Sequence, residues 1–517
     1  MTTKIEPPFY PIIYVRGYAG NDAEVEDTVA DPYMGFNLGA TKVRQLWTNK
    51  IKRYYFESPL IRLMKDFEYR DVYSGGSEMP LEVPLDPRSI CIYRYYDEAS
   101  EQLGSGSRGE IEHYAAGLSD LVLRIRDRVC GDDGDLRRQF RVYLVAHSTG
   151  GLVCRSFLQN QQVGSDEARR LVDKVFTYAT PHNGIDLEII GNVPGFFSRN
   201  NADNFNRQRM AKYLGLNGTP NNVATLNGRF DPRRFFCVVG TNARDYDVAR
   251  GWSSRVVGPV SDGLVRIENA TVAGPVPAGD GTVVAAPRAF VHRSHSGHFG
   301  IVNSEEGYQN LVRFLFGDVR VDGVLEVESI TLPPKLERAR ADGKKIRASY
   351  HFEVAGRVRG QYWDLHRRLT SESSAIFRKF DDLMDPARPR HPHLFSTFLS
   401  ARARVNARRP SLGFSIDLGV LVPQYEVDGL LWMDDHYEGG YLFRDKLNID
   451  VIPPAGNGKD GHWRLRYGFD SSTPNRASLE AGPAVKDDGL EFAIPIVQRT
   501  KPGIAARLIL TARPWNA

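Results

Sequence analysis

Cysteine is scarce in this sequence, four residues in 517, and a chain that long with so few does not depend on a disulfide framework. Cys91, Cys154 and Cys237 sit in apolar strand or helix patterns and read as buried thiols, which suits a reducing cytosol. No Cys/His cluster has zinc spacing. No uncharged run approaches the roughly 18 residues that span a bilayer as a helix. The opening MTTKIEPPFYPIIYV has one early lysine, then proline and acid, with neither the apolar stretch nor the small-residue cleavage site of a secretory signal. A cytoplasmic location is therefore expected, with signal-independent export as the other route. Charge of one sign is also missing: Lys+Arg 67 against Asp+Glu 63 leaves +4, too weak a field to hold a polyanion, so nucleic acid is not the expected partner. What is present is ordinary globular composition, with 41% apolar, 25% charged and 11% aromatic residues. That excludes disordered and collagen-like chains, and the length fits two domains or one large domain with insertions.

Two textures meet near residue 317. Before it, short apolar runs alternate with helical patterns: Pro11 to Val15, Ile90 to Tyr95, the helix-like Glu110 to Val129, Phe140 to Ala146, then Gly151 to Asn160. Strands separated by helices imply parallel pairing, and near-continuous apolar strands such as VYLVA and RFFCVVG imply a sheet covered on both faces. An α/β domain over 1–317 is predicted. Two stretches, about 21–89 and 186–231, are too long for ordinary connections and read as insertions. The first carries Val43, Trp47, Ile51 and Tyr54 at helical spacing among Lys42, Arg44, Lys50, Lys52 and Arg53, so it predicts an amphipathic helix, packed on the core or serving as a lid. The second holds the apolar IIGNVPGFF and reads as a cap or a surface excursion. After Gly317, period-two runs such as VLEVESITL, HFEVAGRVRG and ARLILTA take over, predicting a β-sandwich-like domain over 318–517 with Phe414, Ile416 and Leu418 on one face. Its Arg-rich segments RARADGKKIR and RARVNARRP read as solvated edges or contacts for anionic surfaces.

The sharpest local signal is VYLVAHSTGG, an apolar strand running through Ala146, His147, Ser148, Thr149 and Gly150 into GLVCRSFLQN. A strand, a sharp turn and a helix force the central residue into a strained conformation, and neighbouring chains pass only if the residues two before and two after it are small. Ser148 is thereby lifted clear of the sheet edge, and the helix N-terminus behind it favours an anion developing there. A serine nucleophile needs a base, and the base an orienting acid. Downstream, VVGPVSDGLV reads as a strand ending at Asp262, and FVHRSHSGHFGIVNSEEGYQNLVRFLFG supplies His292, His295 and His298 ahead of a closing helix.

Residues 1 to about 317 resemble the lipase and esterase branch of the α/β-hydrolase superfamily. PIIYVRGYAG resembles its first strand and oxyanion loop, AHSTGG its nucleophile elbow, SDGLV its acid loop and HFGIVNS its histidine loop. The resemblance implies Ser148 as nucleophile, Asp262 as acid, His298 as base and the Tyr18 and Thr149 amides as the oxyanion hole, with no cofactor or metal. Asp280 in GDGTV and His295 are the alternatives for acid and base. Arg16 stands where this branch usually has histidine, so its guanidinium either binds a substrate carboxylate or phosphate or pairs with a nearby Asp. His182 in ATPHNG reads as a pocket-lining or a plain loop histidine. The acidic GDDGD at 131–135 reads as a solvated turn, lacking the spaced oxygens of a calcium loop. The expected activity is carboxylic ester hydrolysis, with lipid esters ahead of short-chain esters, polyesters or acyl transfer, and a lipid or membrane interface as partner. The C-terminal domain would dock a protein or a membrane, and an interaction protein on a hydrolase scaffold is the non-enzyme alternative.

Overall fold

The computed structural model describes residues 4–516 apart from 18–21, 75–76, 79–82, 186–202, 219, 244–259, 298–299, 388, 428–434, 455–462, 473–478, 482–483 and 487–488. The chain divides into two compact units, residues 1–288 with 292–315, and residues 316–517 with 289–291.

The first unit holds six strands of a central sheet, β1 (Ile12–Val15), β2 (Arg70–Asp71), β3 (Ser89–Ile92), β4 (Val142–His147), β5 (Val172–Tyr178) and β6 (Phe235–Gly240), while β7 (Arg288–Val291) is counted, but for Arg288, with the second unit. In the sheet β1 to β6 run in the order β6-β5-β4-β1-β3-β2, and the ladders joining them are parallel. Parallel strands need crossover helices, and these bury both sheet faces. That is why β1 and β6 are buried along their whole length. Helix α1 (Ile111–Cys130) repeats Ile111, Tyr114, Leu118, Val122, Ile125 and Val129 at three- and four-residue spacing, and this stripe is buried. Helix α2 (Gly150–Gln159) is buried on every side, and α3 (Glu305–Phe316) closes this part of the chain. The α/β-hydrolase fold expected from the sequence is present, and among the described residues no helix is long and apolar enough to cross a membrane.

This core also encloses a guanidinium that the elbow helix carries. Arg155 on α2 has no exposed surface, and it donates to Gln159 Oε1 at 2.8 Å and to the carbonyls of His182 at 2.7 Å, Val223 at 2.7 Å and Thr225 at 2.9 Å. Burial pulls its pKa down to about 10, so the side chain stays charged at neutral pH. It stitches the elbow helix to the 222–225 segment of the second insertion. His182, whose role in a pocket was one expectation, is fully buried beneath this bridge, its Nε2 3.1 Å from Thr177 Oγ1. It is a core residue, and burial holds its pKa well below 6.5.

The helix predicted around Val43 to Tyr54 is a β-hairpin: residues Ala40–Gln45 pair antiparallel with Ile51–Phe56. The reason is local. Asn49 adopts φ 60°, its amide donates to Leu46 O at 2.9 Å, and Leu46 N donates to Lys50 O at 2.8 Å, a turn that reverses the chain where a helix would continue. Apolar residues of two strands and their turn had mimicked a 3.6-residue period. The apolar IIGNVPGFF of the second insertion lies outside the described residues; beyond it, Arg207–Tyr213 forms a short helix.

The second unit is built from antiparallel strands. In the five-stranded sheet β8 (Val319–Thr331) pairs β10 (His393–Leu399) and β15 (Gly503–Pro514), which pairs β14 (Gly489–Gln498). In the other sheet β9 (Ile346–Val358), β11 (Leu412–Val427), β12 (Asp435–Ile452) and β13 (Arg464–Phe469) follow in order. Phe352, Ile416, Leu418 and Ile449 from one sheet share a core with Leu325, Phe492, Ile494 and Leu508 from the other, as alternating strands facing each other require. RARADGKKIR opens on a short helix, Pro334–Ala341, rather than a strand edge.

Replacing Arg155 by Met leaves at least two buried carbonyls without their donor. A loss of about 3 kcal/mol or more is expected, read as a lowered thermal midpoint of the variant beside the wild type.

Candidate active site

The turn after β4 brings three segments into contact. Ser148 has φ 53°, in the left-handed region that costs a non-glycine residue about 1 kcal/mol or more. Ser148 N donates to Tyr178 O at 2.9 Å, and Thr180 Oγ1 donates to Ser148 O at 2.8 Å, so the strained residue is held at both ends. The small neighbours are demanded by space. A Cβ on Gly150 would lie 2.2 Å from Val15 O, and one on Gly17 would lie 2.4 Å from Ser148 Cβ and 2.7 Å from His147 O. The end of β1 therefore runs directly over the serine. Two buried tyrosines pin it there: Tyr95 Oη donates to Arg16 O at 2.6 Å, and Tyr96 Oη donates to Gly17 O.

Ser148 Oγ is 3.0 Å from His295 Nε2, and His295 Nδ1 is 2.9 Å from Asp262 Oδ2. All three are buried, at 7%, 3% and 1% exposure, so water competes little for these bonds. The other carboxylate oxygen, Oδ1, accepts the amides of Leu264 at 3.0 Å and Val265 at 2.7 Å, which fixes the carboxylate plane. The backbone joins the two loops again, His295 N donating to Asp262 O at 2.9 Å. Gly240, at the end of β6, has no room for a side chain: a Cβ would meet Asp262 Cβ at 2.7 Å. The strand expected to end at Asp262 is a tight loop over 260–265, closed by Asp262 N donating to Val265 O at 3.2 Å. Residues 256–259 lie outside the described residues.

Of the two histidines expected as base, His298 and its alternative His295, one is in place. His295 occupies the place between serine and carboxylate, while His298 lies outside the described residues, as does Tyr18. The local cue, a histidine just before Gly300 and a helix, does not specify which of three histidines at three-residue spacing the loop turns inward. Asp280 is exposed in the turn between residues 273–275 and 283–285 and accepts the Thr282 amide at 2.8 Å. Among the described residues it is Asp262 that is joined to Ser148, through His295. Thr149 opens α2 and is buried, and amides in a helix's first turn have no partner within the helix.

Sequence reasoning missed His147. Its Nε2 donates to His295 O at 2.9 Å, and the two rings lie 5.1 Å apart. Burial, and then the neighbouring His295, hold its pKa well below 6.5, so it is a neutral donor that steadies the loop carrying His295. Its place beside the serine was visible, but nothing in one sequence shows what it touches. Tyr95 and Tyr96 were also unread, although YRYY directly after β3 was there to find. Arg16 makes no pair with an Asp among the described residues; its Nη1 donates to Met34 O. It lines a cavity of about 360 Å³ with His147, Met34, Phe36, Leu38 and Ser296, on the flank of the Ser148 loop. In GDDGD, Asp133 caps a short helix by accepting the Asp135 and Leu136 amides, and among the described residues no group of three metal-ligating side chains occurs.

No family model and no curated protein matches this chain. Among solved structures it is similar to the lipase BlEst2 of Bacillus licheniformis in mature form, at 16% identity and a TM-score of 0.30, covering 60% of this chain and 92% of that one. It is also similar to the phospholipase PlaB of Legionella pneumophila, at 13% identity and a TM-score of 0.34, covering 84% and 91%. Overlaps this loose transfer no residue roles. The α/β-hydrolase fold of this chain rests on its own parallel sheet, with Ser148 on the turn between β4 and α2.

Proposed function

We propose that this protein is a serine carboxylic ester hydrolase acting on lipid esters. The observation that carries the reading is the unbroken hydrogen-bonded line from Ser148 Oγ through His295 to Asp262. His295 takes the serine proton as Oγ attacks the ester carbonyl, and Asp262 holds the ring in the right tautomer and stabilises the imidazolium. The developing oxyanion is met by the Thr149 amide at the start of α2 and by the Tyr18 amide. The proton then passes from His295 to the departing alcohol oxygen, leaving an acyl-serine. Water, deprotonated by the same histidine, attacks the acyl carbon and releases the acid, and no cofactor enters. His147 acts through the loop and positions His295. Lipid is preferred as substrate because an apolar cavity wall of Met34, Phe36 and Leu38 adjoins the serine loop.

Turnover of p-nitrophenyl esters from acetate to palmitate tests the reading. Activity is expected to rise with chain length and to fall by about 10⁴-fold or more in Ser148→Ala. Turnover confined to short chains would move the substrate to small esters, and none at any length would favour a scaffold that only binds. His295→Ala should lose as much activity as Ser148→Ala, whereas His298→Ala should keep most of it; the reverse result would return the base to His298. Gly17→Ala, whose new methyl must push the β1 loop off the serine, should lower kcat by about 10²-fold through misplacement alone, with the thermal midpoint reporting that the fold is kept.

A further inference from the structure

The hairpin over residues 38–56 is unlike the rest of the chain in charge. It holds Lys42, Arg44, Lys50, Lys52 and Arg53 and no acid, a local +5, while the whole chain carries +4, so everything outside this ribbon nets −1. Lys50, in the turn beside Trp47, is exposed.

The tip is apolar and open. Trp47 is 95% exposed, Ile51 66% and Leu46 36%. A tryptophan this bare gains nothing from the fold, since its area remains in water. The ribbon is a two-stranded sheet of its own, the kind of element that is marginal alone and gains from a surface to lie on. At its base, Leu38 and Gly39 line the cavity beside the Ser148 loop.

We infer that this hairpin is a membrane-docking element, which seats Trp47 at the headgroup level of an anionic lipid surface while its cations lie against the phosphates. Tryptophan prefers that depth because its ring is apolar and its indole N–H polar, and lysines and arginines close to an anionic leaflet each add to binding. The choice of a lipid surface over another polyanion rests on the lipid-ester reading of the Ser148 site and on the bare tryptophan, which a purely electrostatic contact does not need. Docking there sets the cavity wall at Leu38 next to the lipid from which an ester would be drawn.

The test is sedimentation of the full chain with phosphatidylcholine vesicles, with and without about 30 mol% phosphatidylglycerol. The Ser148→Ala chain is used throughout, so that no lipid is consumed and the result does not depend on the hydrolase reading. Binding is expected only with the anionic lipid and should weaken sharply between about 0.1 M and about 0.5 M salt. Lys42→Glu, Arg44→Glu and Lys52→Glu together should reduce partitioning by about 100-fold or more, at about fivefold per cation lost, and Trp47→Ala by about tenfold. Since the four native cysteines are buried, Trp47→Cys also gives a single exposed thiol for an environment-sensitive dye, whose emission should shift to the blue on the anionic vesicles. Equal binding by the charge-reversed chain, or no dye shift while the protein sediments, would overturn the proposal. So would heparin binding of equal strength that ignores Trp47→Ala, which would make the ribbon a general polyanion site. Thermal midpoints of the variants separate loss of the hairpin's contacts from loss of the fold.

Discussion

The close passage of the β1 end over Ser148 is the constraint on which the site depends. A serine held at φ 53° on the turn between a buried strand and a buried helix is exposed to attack chemistry only if the chains around it can come very near. Gly17 and Gly150 permit that approach, each at a distance where even one methyl would collide. Tyr95 and Tyr96 then hold the approach by binding the two carbonyls of the passing loop. The strain on Ser148 is thus offset by hydrogen bonds from Thr180 and to Tyr178 and by the packing of α2, including the enclosed Arg155. Stability and reactivity at this turn come from the same contacts.

The same economy shapes the acid and base loops. Neither Asp262 nor His295 sits on a regular element, yet each is fixed by at least two bonds. The carboxylate accepts two consecutive amides, and the histidine is bonded through both ring nitrogens and its own backbone. His147 adds a third hold on the His295 loop from the residue next to the nucleophile. Loop residues made rigid in this way meet the positional tolerance that proton transfer demands.

Much of this was legible in the sequence, and the failures have physical causes. Apolar strands flanked by helical stripes announced the parallel sheet because burial on both faces leaves a mark in composition. VYLVAHSTGG announced the elbow because the crowding that requires Gly150 is a local matter. Asp262 was legible in SDGLV, but residues 260–265, read as the end of a strand, form a loop stitched by the aspartate's own carboxylate. Which of His292, His295 and His298 turns inward depends on how the loop meets Asp262, a contact between segments 33 residues apart, and no spacing rule encodes that. The hairpin was misread because apolar residues at 43, 47, 51 and 54 fit a helix as well as they fit two strands and a turn. The turn residue Asn49 was the discriminating signal.

Mass spectrometry of the protein after treatment with a fluorophosphonate, with peptide mapping of the adduct, tests the central claim most directly. The account predicts a single covalent modification, on Ser148, that forms rapidly in the native chain and is lost when His295 is replaced by Ala. Modification at another serine, or labelling of Ser148 that is unchanged without His295, would contradict it.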